Sequence, residues 1–163
     1  MIPMSITPSL LYQNEQDIKR ISITIPCSFY FQSGVRDFTL DIVRNLTSLP
    51  DQWAFRFQTI VDELCNNAIE HGSKGEGELS LSLYVLPTQW LEVVVEDMGH
   101  VQGIDAARLT QIVEEKKRLA DADIHGLRGR GLGRIVAKWT DELSFHDRPT
   151  GGMMVKARKY IPS

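Results

Sequence analysis

Glu63 and Asn67 stand four residues apart in the run Val61-Asp62-Glu63-Leu64-Cys65-Asn66-Asn67-Ala68-Ile69-Glu70-His71-Gly72. On a helix, positions i and i+4 are neighbours, so a carboxylate and an amide meet one turn apart. The carboxylate can take a proton from an incoming hydroxyl. The amide oxygen is a hard ligand suited to Mg²⁺, which keeps several waters and leans on substrate phosphates. Two adjacent asparagines are poor helix formers and an odd choice for a plain exposed face.

A second element, Asp97-Met98-Gly99, follows the apolar run Leu91 to Val95. There Asp97 can accept a hydrogen bond from an exocyclic amine such as adenine N6, and Gly99 lets a ligand approach the backbone closely. A third, Gly129-Arg130-Gly131-Leu132-Gly133, stands before the helix-like Arg134 to Trp139. Its bare N–H groups and the helix dipole suit a phosphate. Arg128 and Arg130 can clamp terminal phosphates. The run is neither a Walker A loop, since no Gly-Lys-Ser/Thr follows, nor the dinucleotide G-x-G-x-x-G. A general base, a metal ligand, a base-reading acid and a phosphate cradle are the parts of a nucleotide site.

The elements that must position these groups can be read from periodicity. Residues 1–17 show no period and read as a flexible N-terminal tail; residues 18–163 read as one domain. Ile21, Ile23 and Ile25 alternate, which predicts a strand over 18–26, stopped by Pro26. Val35, Phe38, Ile42, Val43 and Leu46 have helical spacing over 34–46. Asp51 is placed to cap the next helix, predicted over 52–71. Phe57, Ile60, Val61, Leu64, Cys65 and Ala68 form its apolar face, with Gly72 as its C-cap. Opposite that face, Glu63, Asn66, Asn67 and Glu70 form a polar stripe. Leu79, Leu81, Leu83 and Val85 alternate, and Pro87-Thr88-Gln89 turns the chain into a second strand, a hairpin. A helix over 104–119, a short one over 134–139 and strands over 142–146 and 153–159 complete the order. Hairpin-joined strands with helices grouped on one face predict an α+β fold, a two-layer α/β sandwich with a mixed, largely antiparallel sheet.

Composition narrows the classes. A chain of 163 residues with 42% hydrophobic and 24% charged residues can bury a core of its own. A net charge of −3 argues against nucleic acid or an anionic membrane as the main partner. No apolar stretch reaches the ~20 residues of a membrane span, and the N-terminus lacks the pattern of a secretory signal. Cys27 and Cys65 have no metal-type spacing and apolar neighbours. They read as two reduced, buried thiols of a cytoplasmic protein.

In order and spacing the three elements resemble the GHKL (Bergerat-fold) ATPase superfamily, which includes gyrase-type, Hsp90-type, histidine-kinase and MutL-type ATP-binding domains. Glu63 to Asn67 looks like its N box, Asp97-Met98-Gly99 like its G1 box and Gly129 to Gly133 like its G2 box. Thr150-Gly151-Gly152-Met153 falls where a last G-T pair would sit. Within the superfamily, residues 20–160 resemble the small bacterial anti-sigma factor serine/threonine kinases of the RsbW type. That resemblance implies Mg²⁺ and ATP, with Glu63 as base, Asn67 as Mg²⁺ ligand, Asp97 reading adenine and the glycine loop forming part of a lid. It implies a sigma factor and a STAS-type anti-anti-sigma factor as partners, a homodimer, and Arg36 as a contact to the antagonist. The chain departs from the pattern at Val101, where G1 usually has its last glycine, and at Met153 or Met154, where the family has a threonine.

Two functions from different classes follow. One is an anti-sigma factor that phosphorylates its antagonist. The other is a partner-binding module with weak or structural nucleotide binding, which Val101 and Met153 favour. A detached histidine-kinase catalytic domain is a third reading. The roughly 50 residues before the N box read as strand plus helix, and leave no room for a phosphoacceptor hairpin.

Overall fold

The computed structural model describes residues 17–72, 77–97, 107, 110, 111, 114, 136–149 and 151–162. The chain enters through strand β1 (Lys19–Pro26), a 3-10 turn at Phe29–Phe31, helix α1 (Gln32–Leu46) and helix α2 (Asp51–Asn67). A π turn, Ala68–Gly72, ends α2; β2 (Glu78–Leu86) and β3 (Trp90–Asp97) follow. Helix α3 (Ala137–Trp139), β4 (Glu142–Asp147) and β5 (Met153–Tyr160) close the described chain. The five strands lie in the order β1-β2-β3-β5-β4. Every pairing between them is antiparallel.

Alternation sorts the strands into two faces. Ile23, Leu81, Val95 and Val155 line up across four strands, as do Ile21, Leu83, Val93 and Ala157. Leu81, Leu83, Val93, Val95, Val155 and Ala157, with Ile23 packed against them, form one core with Val35 and Val43 of α1 and with Ala54, Phe57, Ile60, Val61, Leu64 and Cys65 of α2. Both helices therefore cover one face of the sheet, and the two-layer α+β sandwich is the observed fold. Fully burying each such side chain contributes about 1.5–3 kcal/mol before chain entropy is counted.

The other face carries Tyr84, Leu86, Trp90 and Val94 as a second, smaller cluster. A charged pair sits beside it: Arg158 Nε donates to Glu92 Oε2 at 2.9 Å, both side chains are under 10% exposed, and the guanidinium lies 4.3 Å from the Trp90 ring centroid. Ser22 and Ser82 share a 2.8 Å hydroxyl bond on the same face.

Several boundaries differ from the sequence reading, each for a local reason. Asp51 does not cap α2. It is the first residue of the helix, Pro50 occupies the cap position without a side-chain bond, and the Asp51 carboxylate takes two bonds from Arg44, at 2.7 and 3.1 Å. The predicted helix over 52–71 stops its regular turn at Asn67 and widens into the π turn that ends at Gly72. Of the predicted helix over 104–119, only Ala107, Thr110, Gln111 and Glu114 are described, all helical. Residues 1–16 lie outside the described residues.

Candidate nucleotide-binding site

One end of the sheet collects the residues that matter. β1 ends at Pro26, and Cys27 N–H donates to the Gly77 carbonyl at 3.0 Å, just before β2 begins. α1 starts five residues after Cys27, so its first turn lies at that end. α2 runs back to the same end and its π turn packs against β3. β3 finishes there at Asp97 and β5 begins there at Met153.

On α2, the Asn67 side-chain Nδ2 donates to the Glu63 carbonyl at 2.8 Å. An amide donates only through its nitrogen, so this bond fixes the orientation of the group and leaves Oδ1 as the atom for a cation. Glu63 and Asn67 are both half-buried. Burial, with smaller contributions from the charges of Asp62 and Glu70, raises the Glu63 carboxyl above its ordinary value. A raised carboxyl is a stronger base, and the negative charge around it favours a cation. The polar stripe expected on this helix is divided. Asn66 turns toward α1, where its Oδ1 accepts from Gln32 Nε2, and Glu70 lies in the π turn, exposed. A π turn advances by fewer degrees per residue than an α turn and so breaks the i, i+4 register beyond Asn67.

Asp97 is 7% exposed. Its Oδ1 accepts from the Met153 N–H at 3.3 Å and its backbone carbonyl accepts from Arg148 at 2.6 Å. The acid is thus held from β5 and from the β4–β5 turn together. Of the two methionines, Met153 is the one whose N–H bonds Asp97. Met154 pairs with Glu96, on the face away from the helices, and packs against the smaller cluster on that face. Gly151 and Gly152 have φ of 95° and 86°, so the turn that delivers Met153 needs residues without a Cβ.

Gly99, Val101 and the loop Arg128, Gly129, Arg130, Gly131, Leu132 and Gly133 lie outside the described residues. Arg36 is placed on α1, with its Nε bonded to both carboxylate oxygens of Asp62 at 3.1 and 2.8 Å. Its side chain is 46% exposed, so this pair adds little stability. Sequence reasoning missed two residues. Arg148, in the turn before Gly151, offered only a charge in a glycine-bearing loop. Gln32 offered no pattern at all. Among the described residues there is no group of three or more His, Cys, Asp or Glu side chains that could hold a metal. A Mg²⁺ held by one amide oxygen and nucleotide phosphates needs none, and Asn67 Oδ1 fits that role. No helix among the described residues is long and apolar enough to cross a membrane.

Comparison with known proteins agrees with this geometry. The family described as the histidine kinase-like ATPase domain matches residues 32–159, a span that takes in α1, α2, Asp97 and Met153. Curated protein sequences give no match. Among solved structures, a chain from the crystal structure of the SiaB–SiaC complex from Pseudomonas aeruginosa is similar in fold, with a TM-score of 0.64. It is 17% identical, over 88% of this chain and 90% of that one. The family match covers most of the chain and contains both the helix that carries Glu63 and Asn67 and the strand that carries Asp97. The chain belongs to the histidine kinase-like ATPase domain family.

Proposed function

We propose that this protein is an ATP-dependent protein kinase of a partner-switching pathway, an anti-sigma factor that holds a sigma factor and phosphorylates a serine or threonine on a STAS-type antagonist. The observation that carries the reading is the joint placement of Glu63, Asn67 and Asp97 at one end of the two-layer fold. Asp97 accepts the adenine amine, and Met153 N–H and Arg148 hold it in place. Asn67 Oδ1 would hold Mg²⁺, which would supply neutralisation of the phosphate charge. The acceptor hydroxyl oxygen attacks the γ-phosphorus, the bond to the β-phosphate oxygen breaks with its electron pair leaving on ADP, and the hydroxyl proton passes to Glu63. The enzyme's main contribution is positioning and charge stabilisation. The similarity to a chain of a two-protein complex supports a protein partner. The family resemblance supports the sigma factor, the STAS-type antagonist, a homodimer and the antagonist contact at Arg36.

The test is transfer of labelled γ-phosphate to a STAS-type protein. Glu63→Gln should keep ATP bound and slow transfer by about 100-fold or more. An unchanged rate would remove Glu63 as the base. A second reading, a partner-binding module with weak or structural nucleotide binding, is favoured by one feature. The position beside Asp97 holds a methionine, whose side chain offers no hydroxyl. Absence of transfer by the wild type, with partner binding intact, would select it.

A further inference from the structure

A two-layer sandwich covers one face of its sheet and leaves the other to water. Here the open side should be the face that carries Tyr84, Leu86, Trp90 and Val94, since α1, α2 and α3 all pack into the core on the opposite face. Yet these four residues are 2%, 5%, 2% and 1% exposed, as buried as that core. The charged side chains beside them, Glu92, Lys156 and Arg158, are no more than 6% exposed. A lysine on an open sheet face carries its ammonium into water. Neighbours on the same face shield only the flanks of a ring, so a further layer lies over this one. The burial is that of a single chain, and the layer therefore belongs to this protein.

The start of β1 says which part of the chain it is. Arg20 and Ser22 pair with Tyr84 and Ser82, so alternate residues of β1 face this side. Ile18, two residues before Arg20, has the same phase and packs against the Tyr84, Leu86, Trp90 and Val94 cluster. The chain thus comes into β1 over this face. Ahead of it stand Met1 to Tyr12, a run without a charged side chain that includes Ile2, Met4, Ile6, Leu10, Leu11 and Tyr12. The polar Gln13-Asn14-Glu15-Gln16-Asp17 joins this run to Ile18. Segments that stay solvated are poor in apolar residues and rich in charge; residues 1–12 are the reverse. The reach is sufficient. Crossing from β1 to β5 takes three strand spacings, roughly 14 Å, and the six residues from Tyr12 to Ile18 extend to about 20 Å.

We infer that the outer face of the sheet is a docking surface for the chain's own N-terminal segment, with Leu10, Leu11 and Tyr12 seated on the Tyr84, Leu86, Trp90 and Val94 cluster. The segment that the sequence marks as a tail is then a third layer, anchored at Ile18. A cover held by so few side chains opens more easily than the core beneath it. Any second copy or partner protein that binds this face must displace it.

Two measurements on the full chain test this. In the first, Leu11 is replaced by the photoreactive p-benzoylphenylalanine, and adducts formed in dilute solution are mapped by mass spectrometry. They should lie within one chain, on outer-face residues of β2, β3 and β5 such as Tyr84, Val94 and Met154. Adducts between two chains would give the face to a second copy, and adducts confined to other parts of the chain would empty it; either overturns the inference. The second measurement places a thiol under the cover. Ser82 is 3% exposed at the middle of this face, and Ser82→Cys should react slowly with iodoacetamide. Adding Leu10→Asp and Leu11→Asp should speed that reaction at least about 10-fold. Cys27 and Cys65, buried in the opposite core, should stay slow, which separates lifting of the segment from unfolding. Equal reactivity of Ser82→Cys with and without the two aspartates would overturn the inference. If Cys27 and Cys65 speed up as well, the aspartate variant is unfolded and the adduct map decides alone.

Discussion

The Glu92–Arg158 pair offers a quantitative test of how the sheet holds the site. The two residues are directly opposed on β3 and β5, five positions from the Asp97 end. Their Oε2 and Nε are 2.9 Å apart, with side chains 4% and 7% exposed. Two atoms remain unsatisfied among the described residues, Glu92 Oε1 and Arg158 Nη2. Burial raises the Glu92 carboxyl despite the opposing pull of Arg158, so desolvation here exceeds the attraction. Removing one partner should then cost about 3–5 kcal/mol, because it strands the other charge. Arg158→Met also loses the contact with Trp90, worth about 2 kcal/mol when desolvated. Removing both charges, as in Glu92→Leu with Arg158→Met, should cost no more than about 2 kcal/mol, the Trp90 contact alone, since the orphans go with them. Urea unfolding of wild type, both single variants and the double variant measures these values. The singles alone would take up a large part of the roughly 5–15 kcal/mol that a domain has. Additive losses in the double variant, or a single variant within about 1 kcal/mol of wild type, would refute the reasoning. A stable double variant also asks whether the pair sets register: a one-residue slip of β5 would turn Met153 away from Asp97, and nucleotide affinity would fall although stability did not.

Three further outcomes follow from the same geometry. Burial in the folded state raises the Glu63 carboxyl above its ordinary value, so the stability associated with its proton is complete below the unfolded value and is lost as pH rises through the folded one; Glu63→Gln should therefore melt higher than wild type at pH 7, with the gap closing as pH falls into the ordinary carboxylate range, and a gap that does not change with pH would contradict this. Burial pushes the Cys65 thiol up to about 12 from 9.0, so its thiolate fraction at pH 8 falls about a thousandfold. Native Cys65 should resist iodoacetamide and react only on unfolding; rapid labelling of the folded chain would refute its placement. Asp97→Asn should weaken ATP binding by about 10–100-fold, the loss expected for a hydrogen bond to a charged acceptor, as read by calorimetry; unchanged affinity would separate Asp97 from the base.

Much of the fold was legible because its signals are local. The alternation in Leu79, Leu81, Leu83 and Val85 and the 3.6-residue spacing in α2 each need only one element to be read, and both hold in the structure. Asp51 was misread because a carboxylate at a helix start can cap or can pair, and the choice was made by Arg44, seven residues earlier and on another helix. The polar stripe on α2 was drawn on an ideal α period, which the π turn after Asn67 does not keep. Nothing in the sequence indicated that Gln32 would meet Asn66, thirty-four residues away, or that Arg148 would hold Asp97 across the sheet. Those contacts are products of tertiary packing: α1 lies against α2, which brings Gln32 to Asn66, and β5 pairs with β3, which brings the β4–β5 turn to the end of β3. Which of Met153 and Met154 would bond Asp97 likewise required the β3–β5 register.

Asn67 is where the account is most exposed. Titration of wild type and Asn67→Ala with ATP, in Mg²⁺ and in EDTA, should show tight binding that depends on Mg²⁺ in wild type. In the variant that dependence should be lost, while the melting temperature and circular dichroism stay those of the folded protein. Equal Mg²⁺-ATP affinity in the two proteins would contradict the assignment of this helix end to a nucleotide site.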